Sequence, residues 1–479
     1  MKVITSFTVL LSVLILSAAS KPETKLVVTI GRHGSRAPIS RLIEADWMAN
    51  LTIYELSPVG KRQHYNLGSA VRQYFRSLFD EGYYEADLVF YAPQCSRMIS
   101  SAVSHRAGFV DAFESDRLQF DYDDERLMPA WLDVDKKSLD FNSSLPFGYS
   151  TQGVRTNLFV EDNLLVPVNA HSCPLVKVMS TQQVDILRKQ LDSIDGYHNL
   201  YDKLTKHFAI DTSKVTDKYK LLIQISDFVR HDWRNNPEPK LSPKDPLFNI
   251  TNRIIEVDKT YLYLDDRIRK VAPAALILDI LSQLRKSADN EPDRVKYAYY
   301  STHDTMLSPI LMSLGVIDAR CYYEDLKAGK YSGACGVFPD TAASIVFELL
   351  EEKLENGEIE HYARLYYNLK PVKVCKDVKD SDLCKLDDFR KNMLDIIDQD
   401  YIKTCTGKDP LSPPEKPHLN YWRVTGIVLL VIFVTQCIVI IYCCMRKPEL
   451  NKPKFKRKMR KDTEDSEYVQ VDDVINKIS

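Results

Sequence analysis

Lys25-Leu26-Val27-Val28-Thr29-Ile30-Gly31-Arg32-His33-Gly34-Ser35-Arg36-Ala37-Pro38 is the stretch on which the fold of this chain turns. Lys25 to Ile30 is an apolar, β-branched run suited to a strand buried on both faces of a parallel sheet. The run ends at Gly31, and charge begins at once. In open α/β sheets ligands bind outside the carboxyl ends of strands, so a loop in this position is a candidate site. Two arginines flank one histidine there, with Gly34 between. Guanidinium forks match phosphate oxygens and stay charged at any working pH. A histidine set between two cations resists protonation, and a neutral imidazole can attack phosphorus. Gly34 lets the backbone approach a ligand closely.

Outward from this strand the pattern alternates. Ser57 is a good N-cap and Pro58 fits a first helical position, so a helix opens there, with Leu67, Val71, Phe75 and Leu78 on its apolar face. Asp87 to Tyr91 reads as a second strand, followed by a helix from about Arg97. From about 125 to 240 the chain is more polar and reads as mostly helical, with Thr181–Ile194 and Leu221–Val229 its clearest segments. Pro273–Arg285 is an amphipathic helix, and Val295–Tyr300 is a strand that runs into Ser301-Thr302-His303-Asp304, with a helix over Met306–Leu314. Ala342–Leu350 and Tyr362–Asn368 then read as an antiparallel hairpin, with Asn356-Gly357 at a tight turn. Alternating strands and helices predict an α/β layer with a parallel sheet.

Arg32-His33-Gly34-Ser35-Arg36-Ala37-Pro38 together with the later His303-Asp304 resembles the signature of the histidine acid phosphatases, a family of phosphoglycerate-mutase-like fold. The resemblance implies a phosphohistidine formed on His33, phosphate bound by Arg32, Arg36 and His303, and a proton given to the leaving alcohol by Asp304. Arg97, just after the second strand and followed by a Ser-Ala step, stands where the family carries a further phosphate-binding arginine. Pro93-Gln94-Cys95-Ser96 ahead of it departs from the family's usual residues. The expected architecture is α/β, a three-layer sandwich with a mainly parallel sheet, a smaller mostly helical inserted subdomain and one C-terminal transmembrane helix. His231-Asp232 is a second His-Asp pair, but it follows a helical segment rather than a strand and reads as structural. The resemblance also implies three disulfides, Cys173 with Cys405, Cys375 with Cys384 and Cys321 with Cys335, leaving Cys95 over. There is no His-Glu-x-x-His and no Cys-x-x-Cys ahead of the membrane segment, so neither metal nor cofactor is expected.

The chain ends predict a membrane protein. Lys2 precedes an apolar run, Phe7 to Leu16, closed by small residues, which is the form of a signal peptide cleaved after Ser20. Val424 to Met445 is 22 uncharged residues, enough to cross about 30 Å of hydrocarbon. Tyr421 and Trp422 mark one interface, and a basic run from Arg446 to Lys461 places the other end in the cytosol. The domain expected over 21–408 is thus lifted by a proline-rich spacer, 409–423, on the lumenal or extracellular side, with a cytoplasmic tail from 446 to 479. Sequons at Asn50, Asn142 and Asn249 lie on the predicted outer side. Tyr468-Val469-Gln470-Val471 has the form of a sorting signal read by an adaptor, which points to lysosomal or endosomal membranes or the cell surface. A homodimer is compatible with all of this.

The net charge of −2 opposes a nucleic-acid binder. A phytase-like enzyme would want a strongly basic surface, yet Lys21 to Arg423 holds 53 basic against 59 acidic residues. A catalytically silent, phospho-ligand-binding membrane protein need not keep both His33 and Asp304, and a mutase would want a glutamate near the second strand. Small phosphomonoesters are therefore the expected substrates.

Overall fold

The buried run forms strand β1, Glu23–Arg32, in the computed structural model, which describes residues 21–80, 82–110, 153–166, 173–375 and 382–406. Every residue of β1 from Leu26 on is buried. Helix α1, Pro58–Tyr74, follows, with the Ser57 hydroxyl accepting the Gly60 N–H at 3.1 Å and donating to the Ser35 carbonyl at 3.0 Å. The cap therefore ties the helix start to the charged loop. Next come β2, Leu88–Pro93, and α2, Ser96–Phe109. Edge strand β3, Arg155–Asn157, lies within the stretch expected to be helical. A helical run follows: α3, Pro174–Asp192; α4, Asp195–His207; α5, Lys218–Asn235; α6, Pro246–Thr260; and α7, Asp266–Val271. Helices thus continue past the boundary expected near 240. The chain returns through α8, Ala274–Ala288, to β4, Tyr297–Thr302, then α9, Asp304–Ser313, and α10, Ala319–Lys327. Strands β5, Ser344–Lys353, β6, Ile359–Tyr367, β7, Lys370–Val372, and β8, Cys384–Lys385, precede α11, Leu386–Asp395, and α12, Tyr401–Thr406.

Among the described residues these eight strands make one sheet in the order β3-β2-β4-β1-β5-β6-β7, with β8 on β6. The expected mainly parallel sheet is corrected to a mixed one. β3–β2, β2–β4 and β4–β1 pair in parallel, while β5 joins the other edge of β1 antiparallel and brings its hairpin partner β6 with it. The hairpin was legible from Asn356-Gly357, where Gly357 takes φ +86°. Its seat beside β1 was not legible, because strand order is a long-range property that local alternation does not encode.

Side chains alternate across the sheet. Leu26, Val28 and Ile30 of β1 join one apolar cluster with Ile277, Ile280 and Leu284 of α8, and Val27 joins another with Val71, Met98, Ala102 and Phe109. The register sets Val27 beside Tyr297 and Arg32 beside Thr302, and sets Tyr300 beside Tyr91. The carboxyl ends of β1, β4 and β2 are therefore level, and the loops that leave them meet.

The three disulfides implied by the resemblance are present, Cys173–Cys405, Cys321–Cys335 and Cys375–Cys384, and Cys95 is free. Asn50 and Asn249 are exposed. Among the described residues no helix is long and apolar enough to cross a membrane. The expected signal peptide, the 409–423 spacer, the Val424–Met445 span and the tail with Tyr468 all lie outside the described residues, as do Asn142 and part of the expected insertion.

Candidate active site

The level strand ends deliver the six residues singled out in the sequence to one cluster. Arg32 ends β1 and His33 follows it, with its N–H donating to the Thr302 carbonyl at 2.9 Å. Asp304 opens α9 behind its N-cap His303, and Arg97 lies in the first turn of α2. The His33 and His303 rings meet edge to face with centroids 5.3 Å apart. Arg97 Nη2 lies 3.4 Å from His303 Nε2, and Arg32 Nη2 lies 2.9 Å from Asp304 Oδ2.

His33 Nδ1 lies 2.8 Å from the Gly34 carbonyl. A carbonyl only accepts, so Nδ1 carries the proton and Nε2 presents a lone pair. Burial, joined by the charges of Arg97 and Arg32, by His303 and by Arg36, holds the His33 imidazole well below its ordinary pKa. The ring resists protonation for that reason. Burial and Arg97 depress His303 in the same way. For Asp304 burial pushes the carboxyl up, but Arg32, Lys259, His303 and Arg230 outweigh it, and the net shift is downward. The unliganded site therefore holds Asp304 as a carboxylate, which its place at the positive end of α9 also favours.

Gly34 has a second reason to be glycine. A Cβ there would stand 2.4 Å from the Gly60 carbonyl oxygen, so the loop and the start of α1 pack backbone on backbone.

Several residues that hold this cluster went unnoticed in the sequence. From Ile225 to Asp232 every residue of α5 is buried, polar ones included. Asp227 accepts from Arg36 Nη1 at 3.0 Å and Nη2 at 2.8 Å, and from the Ile39 N–H at 2.9 Å. Burial alone would raise its carboxyl, yet Arg36 and His231 hold it well below the carboxylate range. His231 Nδ1 accepts the Arg36 N–H at 3.3 Å and lies 3.0 Å from the Ser35 hydroxyl. Asp232 turns away and accepts from Trp47 Nε1 at 2.8 Å and the Lys240 N–H at 2.7 Å. The second His-Asp pair is thus divided: Asp232 faces away from the cluster, while His231 braces the charged loop. Asp340 pairs with Arg234 and lies 3.6 Å from Arg32 Nη1. The available signal was the spacing of Asp227, Arg230, His231 and Arg234 on one helical face.

Asp227→Ala would leave the buried Arg36 guanidinium without its carboxylate. We expect a loss of about 3–5 kcal/mol in urea unfolding. An unchanged midpoint would show that the pair does not hold the loop.

Among the described residues the group of metal-ligating type with its atoms close enough is Cys321, Asp325 and Cys335, and both cysteines are spent in a disulfide.

Residues 23–368 match the histidine phosphatase superfamily (branch 2). The chain is 22% identical over 358 residues to prostatic acid phosphatase of Bos taurus, covering 72% of this chain and 77% of that one. It is 21% identical over 409 residues to lysosomal acid phosphatase of Xenopus laevis, covering 83% and 82%. Lysophosphatidic acid phosphatase type 6 of Homo sapiens is 25% identical over 400 residues, covering 78% and 83%. Among solved structures, the phytase of Klebsiella sp. ASR1 superposes with a TM-score of 0.52 at 13% identity over 79% of this chain and 97% of that one, a likeness of fold alone. A match that runs from β1 through β6 and takes in both the Arg32–Pro38 loop and His303-Asp304 places this chain in branch 2 of the histidine phosphatase superfamily.

Proposed function

We propose that the chain is an acid phosphatase that hydrolyses phosphomonoesters through a phosphohistidine on His33, with Asp304 as proton donor. The observation that carries this reading is the state of His33: its Nδ1 proton is committed to Gly34, its ring is kept neutral, and cationic side chains surround it. Nε2 is then a nucleophile aimed where Arg32, Arg36 and Arg97 attract a phosphoryl group. Positioning and charge stabilisation supply most of the catalysis in phosphoryl transfer, and the departing oxygen needs a proton.

The unliganded site favours Asp304 in its ionised form, so substrate binding must help to bring it its proton. A phosphate group takes Arg32 as its own partner and adds negative charge beside the carboxyl. Both changes push the Asp304 carboxyl up. Below about pH 6 a phosphomonoester can bring the proton itself, as its monoanion. The same added charge favours protonation of His303, which can then donate to a phosphate oxygen. In the second half-reaction Asp304, now ionised, takes a proton from the water that attacks the phosphohistidine.

The pH dependence follows in sign. Asp304 must be protonated for the first step, so the rate falls as pH rises from acid to neutral. His33 must be neutral, and its depressed pKa places the acid limb below the ordinary histidine value of about 6.5. Hydrolysis of 4-nitrophenyl phosphate by the purified full-length chain from pH 3 to 8 checks this. An acid optimum is expected, whereas a folded chain with no turnover at any pH would overturn the reading.

The charges nearby favour a substrate with a single phosphate. Beyond the cluster, Arg234 is paired with Asp340 and Arg230 with Glu256, so these cations are already matched by carboxylates. A phytate-like polyanion would want them free. The topology read from the sequence completes the proposal: a single-pass anchor at Val424–Met445, the phosphatase domain on the lumenal or extracellular side, and Tyr468 as the adaptor contact.

A further inference from the structure

Tyr54 is held in a backbone conformation that tyrosine rarely adopts. Its φ is +63°, in the left-handed region where a Cβ is strained. Such strain persists only where the surroundings enforce it, and it gathers at functional sites. Here the enforcement is visible. The segment carrying Tyr54 is laced to the charged loop by the Ala37 N–H donating to the Glu55 carbonyl at 2.8 Å, by the Tyr54 N–H to the Pro38 carbonyl at 3.5 Å, and by a bridge pairing Arg36 with Leu56.

The half-buried ring of Tyr54 lies against two guanidinium groups at once, with Arg36 Cζ and Arg97 Cζ each 5.4 Å from its centroid. Those two groups repel each other. Arg36 has a carboxylate partner in Asp227, but Arg97 does not share it; its Nη2 meets His303, and its Nε makes no hydrogen bond among the described residues. The π-electrons of the phenol ring are therefore a counterpart that the two cations share.

We propose that Tyr54 is a positioning residue for phosphate: its ring holds the Arg36 and Arg97 guanidiniums as one preformed pair, and its strained backbone sets the ring in place. The inference rests on the phosphatase reading of the same site. Without the ring, Arg97 in particular must be ordered by the substrate, and that cost appears in phosphate affinity and KM rather than in kcat. The ring face does this, not the hydroxyl, so phenylalanine serves as well.

The test is calorimetric titration of inorganic phosphate into the full-length wild type, Tyr54→Phe, Tyr54→Gly and Tyr54→Asn, beside steady-state kinetics on 4-nitrophenyl phosphate. Glycine and asparagine both accept a positive φ, so neither forces the segment to refold, and thermal melting confirms that each variant is intact. The expected result is phosphate affinity about tenfold weaker in Tyr54→Gly and Tyr54→Asn, with KM raised in step and kcat within about threefold. Tyr54→Phe should stay within about threefold of wild type on every count. Wild-type phosphate affinity in intact Tyr54→Gly and Tyr54→Asn would overturn the positioning role, as would a Tyr54→Phe as weak as glycine. The binding arm does not need turnover, so a wild type that binds phosphate without hydrolysing esters would sink the phosphatase reading while still deciding the role of Tyr54.

Discussion

Turnover by His33→Ala should fall by about 10⁴-fold or more at every pH, with the fold intact. The size follows from what the residue is asked to do. If His33 Nε2 attacks phosphorus, its removal deletes the covalent route altogether, and only the binding and charge stabilisation of the three arginines remain. The structural cost is small by comparison, since the described hydrogen bonds of the ring come down to the one from Nδ1 to Gly34. A variant that still binds inorganic phosphate but no longer releases it from esters would match this account. Activity within tenfold of wild type would mean that water attacks phosphorus directly, and His33 would be one more phosphate contact.

Asp304→Asn should show two effects of opposite sign. For an alkyl phosphate, whose leaving oxygen must be protonated, kcat/KM, which reports the phosphorylation step alone, is expected to drop on the order of 10²–10⁴-fold. For 4-nitrophenyl phosphate, whose leaving group departs as a stable phenolate, the loss should be much smaller. The fall in rate from acid to neutral pH should flatten for the aryl ester, because no ionised carboxyl then competes with the phosphate for Arg32. Phosphate affinity should meanwhile rise. Asp304 faces Arg32 at 2.9 Å in the unliganded site, and an amide in its place leaves that guanidinium freer for an anion. Comparing kcat/KM on the two esters with the inhibition constant for phosphate measures both effects. Equal losses on both esters would deny Asp304 the role of proton donor.

Much of this site was legible because it sits where local and general rules coincide. The apolar run of β1 announces a buried strand, and the charged residues directly after it fall where such sheets bind ligands. The same logic covers Tyr297–Thr302 with His303-Asp304, and the Ser57-Pro58 helix start. What escaped was the support. Asp227 and His231, on α5, lie 191 and 195 positions beyond Arg36, and Asp340, just before β5, lies 308 positions beyond Arg32. A buried carboxylate facing an arginine across that distance leaves no local pattern. Asp304's resting charge was missed for a related reason: its partner Arg32 ends β1 while Asp304 opens α9, so that charge depends on a pairing the sequence does not show. Tyr54 was invisible because nothing in Ile53-Tyr54-Glu55 advertises a positive φ; the lacing to Ala37 and Pro38 imposes it. The expected mainly parallel sheet failed at the junction where β5 chooses the free edge of β1.

The covalent intermediate can be sought directly. The purified full-length chain is mixed for milliseconds with an ester labelled in its phosphoryl group, quenched in alkaline denaturant to preserve phosphohistidine, and the label is placed by peptide mass spectrometry. The account predicts label on the peptide carrying His33, its build-up when Asp304 is replaced and the aryl ester is used, and none in His33→Ala. A wild type that turns over while carrying no protein-bound phosphate, or carrying it on a residue other than His33, would contradict the mechanism.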